Sequence, residues 1–446
     1  MSRIHTTLTL CAAVMLLAGY APAQSTLNLT IDQAIQTGIA NSKSLHASSA
    51  KVAGAEAKAS EAGAARFPTL KAAGLYTRLS DVPAYNLGPF PPLLMTPITI
   101  VPSILNNYTA RMTVQQPLFT GFALTSNVNL TSYNADATAK DFERDRAELI
   151  YAVRSAYWTY YKTMEFKKVI DEVVEQMKAH LHDVQNMFAQ GVVTKNELLR
   201  VEVQLSNAEV TQIDAGNNVE LAMIGLNNTI GLPLKTNIVL TSTIGRTEHA
   251  YQDTSVLIMQ ALERRPEVQA MDLRVKAGES GVTLARSGWW PQVGLIGNYY
   301  YSRPNQRYFP AIDAFKNTWD VSLSVSLDIW NWGTTLFQTR EAEAQLVQAQ
   351  DALSQLKDGI SLEVTQCYLG FRESDERIHV AEQAVGQAEE NARITSEKFR
   401  SGLVLNSDVL DAEVALLQAK WNYIQALVDH ELADARLQKA IAAERQ

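Results

Sequence analysis

Cysteine is almost missing from this chain: the 446 residues hold two, Cys11 and Cys367. Cys11 lies in an N-terminal apolar run that reads as a leader. The mature chain then keeps one cysteine, and an exported protein with one has no internal disulfide. Cys367 falls on an apolar helical seam, where a small buried side chain is favoured over a reactive thiol. Long apolar runs are also missing. After the first 23 residues none approaches the roughly 20 that a transmembrane helix needs. No basic block occurs: 39 Lys and Arg are outnumbered by 47 Asp and Glu, and the formal net charge of −8 argues against a nucleic-acid partner. No GxSxG, HExxH, Walker A loop or paired CxxC is present. The chain is therefore read as a non-enzyme with no catalytic, cofactor-binding or metal-binding residues. His180 and His182 stand two apart, so they do not share a helical face and are expected to be exposed rather than metal ligands.

Residues 1–23 have the pattern of a secretory signal peptide. Arg3 and His5 supply the start, Leu8 to Leu17 the apolar run, and Ala21-Pro22-Ala23 a small-residue cleavage site. Tyr20 stands where a lipoprotein signal would carry its cysteine, so cleavage before Gln24 without a lipid anchor is expected. An exported chain with no spanning helix is a soluble periplasmic or secreted protein, or an outer-membrane β-barrel.

Two stretches organise the remainder. FAQGVVTKNELLRV, from Phe188, and FRSGLVLNSDVLDA, from Phe399, each sit between two long helical patterns and read as the turns of helical hairpins. Gly191 and Gly402 supply the positive φ that ends a helix. After Gly402, Asn406 or Ser407 is expected to cap the next helix, with Asp408 and Asp411 in its opening turns, where carboxylates suit the dipole. From Phe122 to Phe188 there is neither proline nor glycine. At ~1.5 Å per residue this predicts a helix of roughly 100 Å. Its apolar residues step by threes and fours, through Val153, Tyr160, Ile170, Val174, Met177 and Val184, as in coiled-coil packing.

The chain then repeats itself. Residues 24–233 form a first half, 234–253 a linker and 254–446 a second half. Each half reads as helix, strand, loop, strand, long helix, turn, long helix. Phe67-Pro68 corresponds to Trp290-Pro291, Tyr157 to Tyr368, Glu202 to Glu413 and Ile230 to Ile441. The first half carries an insertion within residues 80–105, which hold six prolines and read as an exposed loop. Residues 30–66 read as helix, and Pro117 is expected to stop the second strand.

The strands alternate with period two. Trp319, Val321, Leu323 and Val325 oppose Asp320, Ser322 and Ser324. Four such strands have the length of tilted membrane strands, with the apolar face toward lipid and the polar face toward water. Four cannot close around a water-filled lumen, since that takes at least about eight. The chain must oligomerise, and a trimer supplies twelve.

This duplicated plan resembles the TolC family of outer-membrane efflux ducts. The resemblance rests on the FP and WWP segments, on PLFTG and DIWNWG after the second strand of each half, and on the two glycine turns. It covers essentially the whole mature chain. It implies an α+β membrane fold: a homotrimeric 12-stranded β-barrel, four strands per chain, continuous with a long α-helical barrel in the periplasm. It also implies a passive export duct of a tripartite efflux or type I secretion system in the outer membrane of a Gram-negative cell. Such a duct meets outer-membrane lipid and docks to a periplasmic adaptor (membrane fusion protein) linked to an inner-membrane pump. GLVLNSDVLDA matches the family segment that places two aspartates, here Asp408 and Asp411, as charge rings at the periplasmic entrance. Gly191-Val192 and Gly402-Leu403 match its adaptor-contacting tips. Where well-studied members hold the entrance shut through a Tyr and an Arg, this chain has Phe399 and Val404. The alternative is a periplasmic coiled-coil adaptor, but adaptors have one hairpin between small β-domains, whereas this chain has two hairpins and four strands.

Overall fold

The computed structural model describes residues 27–81, 83–91, 93, 95–244 and 251–443. The segment read as a signal peptide lies outside them. In chain order the elements are β1 (Leu27–Leu29), α1 (Ile31–Asn41), α2 (Lys43–Ala64), β2 (Thr69–Arg78), β3 (Tyr85–Leu87), β4 (Ile98–Val101) and β5 (Asn106–Thr120). Then follow α3 (Ala123–Ala189), α4 (Lys195–Thr229), β6 (Ile238–Leu240), α5 (Thr254–Arg264) and α6 (Pro266–Arg286). The chain closes with β7 (Gln292–Arg303), β8 (Lys316–Ser326), α7 (Thr334–Arg400) and α8 (Asn406–Ala440). The two long helices α3 and α7 are both 67 residues, and their return helices α4 and α8 both 35.

The chain divides into two compact units whose boundary falls within α3 and α7, so each unit collects segments from both halves of the sequence. Of the described residues, one unit holds those up to Ser48, those within Phe142–Pro266 and those from Lys357 onward. Its core gathers Leu29, Ala34, Val153, Tyr157, Trp158, Leu226, Ile230, Ile238 and Val428. Here β1 and β6 pair in parallel. The Tyr157 hydroxyl donates to Leu29 O and the Tyr160 hydroxyl to Ile238 O, both at 3.0 Å, so each buried phenol ties this short sheet to α3. Along α7 the buried residues Ile360, Val364, Cys367, Phe371, Ser374 and Ile378 keep strict steps of four and three. Burial also pushes the Cys367 thiol pKa upward, away from reactivity.

The other unit, Ser49–Asp141 with Glu267–Leu356, contains an antiparallel sheet in the order β2-β5-β7-β8. Direct cross-strand partners share a face. The register therefore puts Leu70, Val114, Leu295 and Leu323 on one side with Met112, Tyr299 and Trp319. On the other side Thr113, Asn298 and Asp320 form a polar rung across three strands. Thr113 Oγ1 lies 2.8 Å from Asn298 Oδ1, and Asn298 Nδ2 lies 2.9 Å from Asp320 Oδ1. The outer strands β2 and β8 each have a neighbour on one side only. No helix among the described residues is long and apolar enough to cross a membrane.

Two expectations need correcting. The helix expected over 30–66 breaks at Ser42, which adopts an extended ψ of 112°. Its hydroxyl accepts from Leu45 N–H at 3.2 Å, capping α2 afresh. Pro117 does not stop β5. The strand runs on to Thr120, and the pairing with β7 shifts register between Pro117 and Phe119. A bulge absorbs a residue that has no N–H to give.

Candidate functional site

The two hairpin turns have the same hydrogen bonds. In the first, Val192 N–H donates to Met187 O and Gly191 N–H to Phe188 O, both at 2.9 Å. In the second, Leu403 N–H donates to Lys398 O and Gly402 N–H to Phe399 O, again at 2.9 Å. Both are Schellman closures, which need a left-handed residue. Gly191 has φ 75° and Gly402 φ 72°, and a Cβ at either would meet nothing within 4 Å. The glycines therefore answer to backbone conformation alone. Each turn leaves an apolar side chain in the open: Val192 is 68% exposed and Leu403 74%.

Behind the turns, α3, α4, α7 and α8 each give one residue to a small core: Val184, Val201, Phe399 and Val409. Val404 packs against it. Phe399 and Val404 are thus packing groups that help join the two hairpins.

His180 corrects the expectation of exposure. It is buried, 9% exposed, because the seam steps from Met177 to position 180. Its Nε2 lies 2.7 Å from Asn406 Oδ1, while Asn406 Nδ2 donates to Glu197 Oε2 at 3.2 Å. Glutamate can only accept there, so Asn406 presents its oxygen to the ring, and His180 Nε2–H is the donor. Burial lowers the His180 pKa, and the bond to Asn406 opposes that shift. His182 is exposed, as its spacing suggests.

Asp408 and Asp411 are both exposed, one helical step apart on α8. Asp408 Oδ2 accepts from Leu405 N–H at 2.9 Å. The N-cap is therefore Leu405, not Asn406 or Ser407, and a leucine has no side-chain acceptor. Asp408 reaches back from the third helical position to satisfy the backbone instead. The corresponding cap of α4 is Thr194, whose hydroxyl accepts from Glu197 N–H at 3.4 Å. Asp411 has no hydrogen-bond or ion-pair partner among the described residues.

Spacing on its own passed over one further group. Between α3, α7 and α8 lies a cavity of about 390 Å³, and Glu413 of α8 lines it. Glu413 Oε2 is buried with no hydrogen-bond partner, and desolvation pushes its pKa up to about 7. Its place two residues beyond Asp411, on the packed side of α8, was the available signal. Among the described residues no cluster of His, Cys, Asp or Glu is arranged to hold a metal.

These features have known counterparts. The sequence pattern described as "outer membrane efflux protein" matches residues 34–232 and 257–443. The alkaline protease secretion protein AprF of Pseudomonas aeruginosa is 23% identical over 348 residues, 74% of this chain and 69% of that one. The outer membrane protein TolC of Vibrio cholerae is 21% identical over 294 residues, 66% of this chain and 67% of that one. The crystal structure of the outer membrane protein VceC of Vibrio cholerae shares the fold with a TM-score of 0.78 at 18% identity, covering 92% of this chain and 95% of that one. A CusC structure does so with a TM-score of 0.79 at 15% identity, covering 95% of each chain. With both halves of the sequence matched by one family pattern, the chain belongs to the outer membrane efflux protein family, the TolC-like channels of the outer membrane.

Proposed function

We propose that three copies of this chain form one duct, a closed 12-stranded barrel in the outer membrane with a helical tube below it in the periplasm. The observation that carries this is the sheet. β2 and β8 are open edges, and an unpaired edge cannot stand in hydrocarbon. Its apolar side is uncovered: Trp319, Val321, Leu323 and Val325 are 71%, 62%, 64% and 64% exposed. Lipid is the solvent that suits such a face, and edge pairing between copies suits the open strands. Native mass measurement of the detergent-solubilised protein tests this, with three chains expected; a stable folded monomer would overturn it.

The exposed tips at Gly191-Val192 and Gly402-Leu403 suit docking by a periplasmic adaptor linked to an inner-membrane pump. Asp408 and Asp411, exposed beside the second tip, suit charge rings around a narrow entrance once three copies surround an axis. Among the relatives, some carry protease secretion in their names and others efflux pumps. This duct serves one such system as its passive outer component. The adaptor alternative has no place for a four-stranded antiparallel sheet with an uncovered apolar face.

A further inference from the structure

Every cation around the Glu413 cavity is already engaged by another carboxylate. On α7, Arg393 contacts Glu390 and Glu397, each at 2.7 Å. Arg400, also on α7, lies 3.5 Å from Asp183 of α3. Lys420 of α8 lies 3.4 Å from Glu172 of α3 and 3.7 Å from Glu389 of α7. His180 of α3 also lines the cavity, with its Nε2–H donating to Asn406 Oδ1. Glu413 therefore has no counter-charge to itself. A carboxylate in that position is costly, whereas a neutral carboxyl is tolerated. The repeat-equivalent Glu202 of α4 is half-buried.

We propose that Glu413 is a proton-binding site that latches α3 of the first hairpin against α7 and α8 of the second, immediately behind the entrance. Protonated, it sits in the cavity and the hairpins stay packed. Deprotonated, it favours any arrangement that admits water to the carboxylate or frees Lys420 or Arg400 to meet it. Either change loosens α3 from α8 beside the cavity, where the His180–Asn406 bond and the Lys420–Glu172 pair link the two helices. The proton is thus the ligand, and periplasmic pH sets its occupancy. The inference rests on the reading of the hairpin tips as the entrance of a duct.

The direction follows from linkage. The packed state holds its proton up to about pH 7, whereas a solvated glutamate loses it near ~4.3. The latch is fully present below the solvated value and is lost as pH rises through the cavity value. From about pH 5.5 to about pH 8.5 the open fraction should grow on the order of tenfold or more.

The test is closed-state conductance of the reconstituted full-length oligomer in planar bilayers. It is run on the wild type and on the Asp408→Asn, Asp411→Asn background, so that the response is read with and without the two aspartate charges. Wild-type conductance should rise with a midpoint near the cavity value. Glu413→Gln, a neutral isostere, should stay at the low level throughout, and Glu202→Gln should respond like wild type. A wild type indifferent to pH, or a Glu413→Gln protein with the wild-type rise, overturns the latch while leaving the duct intact. No conductance at any pH would instead sink the duct reading. Should Glu413→Gln fail to assemble, infrared titration of the wild type with carboxyl-labelled glutamate decides. A neutral carboxyl persisting toward pH ~7 supports the proposal, and complete ionisation by about pH 5.5 overturns it.

Discussion

His180 Nε2 stands 2.7 Å from Asn406 Oδ1, and this bond crosses from the first helical hairpin to the second. Both residues are buried, and Asn406 goes on to Glu197 of α4, so one amide joins three helices. Removing either partner strands a desolvated polar group. Asn406→Ala should therefore destabilise this end by about 1–3 kcal/mol, and Asn406→Leu less than Asn406→Ala because it refills the volume. Thermal unfolding of the purified protein checks the order. Equal stability of all three would mean the bond does nothing.

The same residue gives a pH prediction. Burial holds the His180 pKa below the usual imidazole value. The unfolded chain then binds the proton more tightly, so the stabilisation is present above the ordinary value of ~6.5 and lost as pH falls through the lowered one. On the Glu413→Gln background, which removes the opposing proton uptake at that site, unfolding temperature should fall on acidification in that window, and His180→Gln should flatten the fall. An acid limb unchanged by His180→Gln would assign it to other groups.

Much of this arrangement is legible in the sequence, and the rest is not for identifiable reasons. Period-two alternation fixes which residues share a strand face, and the cross-strand partners of Leu323 and Val325 agree with it. The glycine turns are legible because a Schellman closure demands φ above zero, which glycine accepts freely. The cap of α8 is not. Asn406 looks like a capping residue, but its amide is taken by His180 and Glu197, partners far away in sequence. The burial of His180 is not legible either, because an apolar seam one residue wide leaves position 180 or 181 as the inner one, and only the facing helix chooses. Pro117 marks a bulge rather than an end because β7 pairs on both sides of it.

The sheet gives the third prediction. Leu323→Arg or Val325→Arg should cost about 2–4 kcal/mol near the bilayer midplane, whereas Ser322→Arg or Ser324→Arg should be mild. Folding into lipid vesicles from urea, read by gel mobility without heating, measures this. Equal tolerance on the two faces would mean that β8 does not meet lipid.

The fourth concerns the tips. Gly402→Leu forces a branched side chain into left-handed backbone, a strain of order 1–3 kcal/mol confined to the turn. Nothing crowds the position, so the sheet and its assembly should be untouched. Export of a fluorescent pump substrate should be lost while the oligomer remains in the outer-membrane fraction. Normal export would show that the second tip makes no productive contact.

Asp408 and Asp411 differ in a way that separates their two candidate roles. Asp408 satisfies the Leu405 N–H and so supports the start of α8, while Asp411 has no hydrogen-bond partner among the described residues. If helix support were the whole story, Asp408→Ala would cost about 1 kcal/mol and Asp411 would be silent. If three copies surround the entrance, both aspartates also act on passing ions, because rings of carboxylates favour cations and bind multivalent ones. Asp411→Asn should then leave the unfolding temperature unchanged yet weaken both cation preference and trivalent-cation block. Asp408→Asn keeps an acceptor for Leu405 and should behave alike, whereas Asp408→Ala should lose stability as well. Export should survive in every case, since a ring at the entrance filters and does not drive transport. Reversal potentials and block measured on the three single variants give the answer, and undiminished block in Asp411→Asn would leave that residue with no part in the entrance.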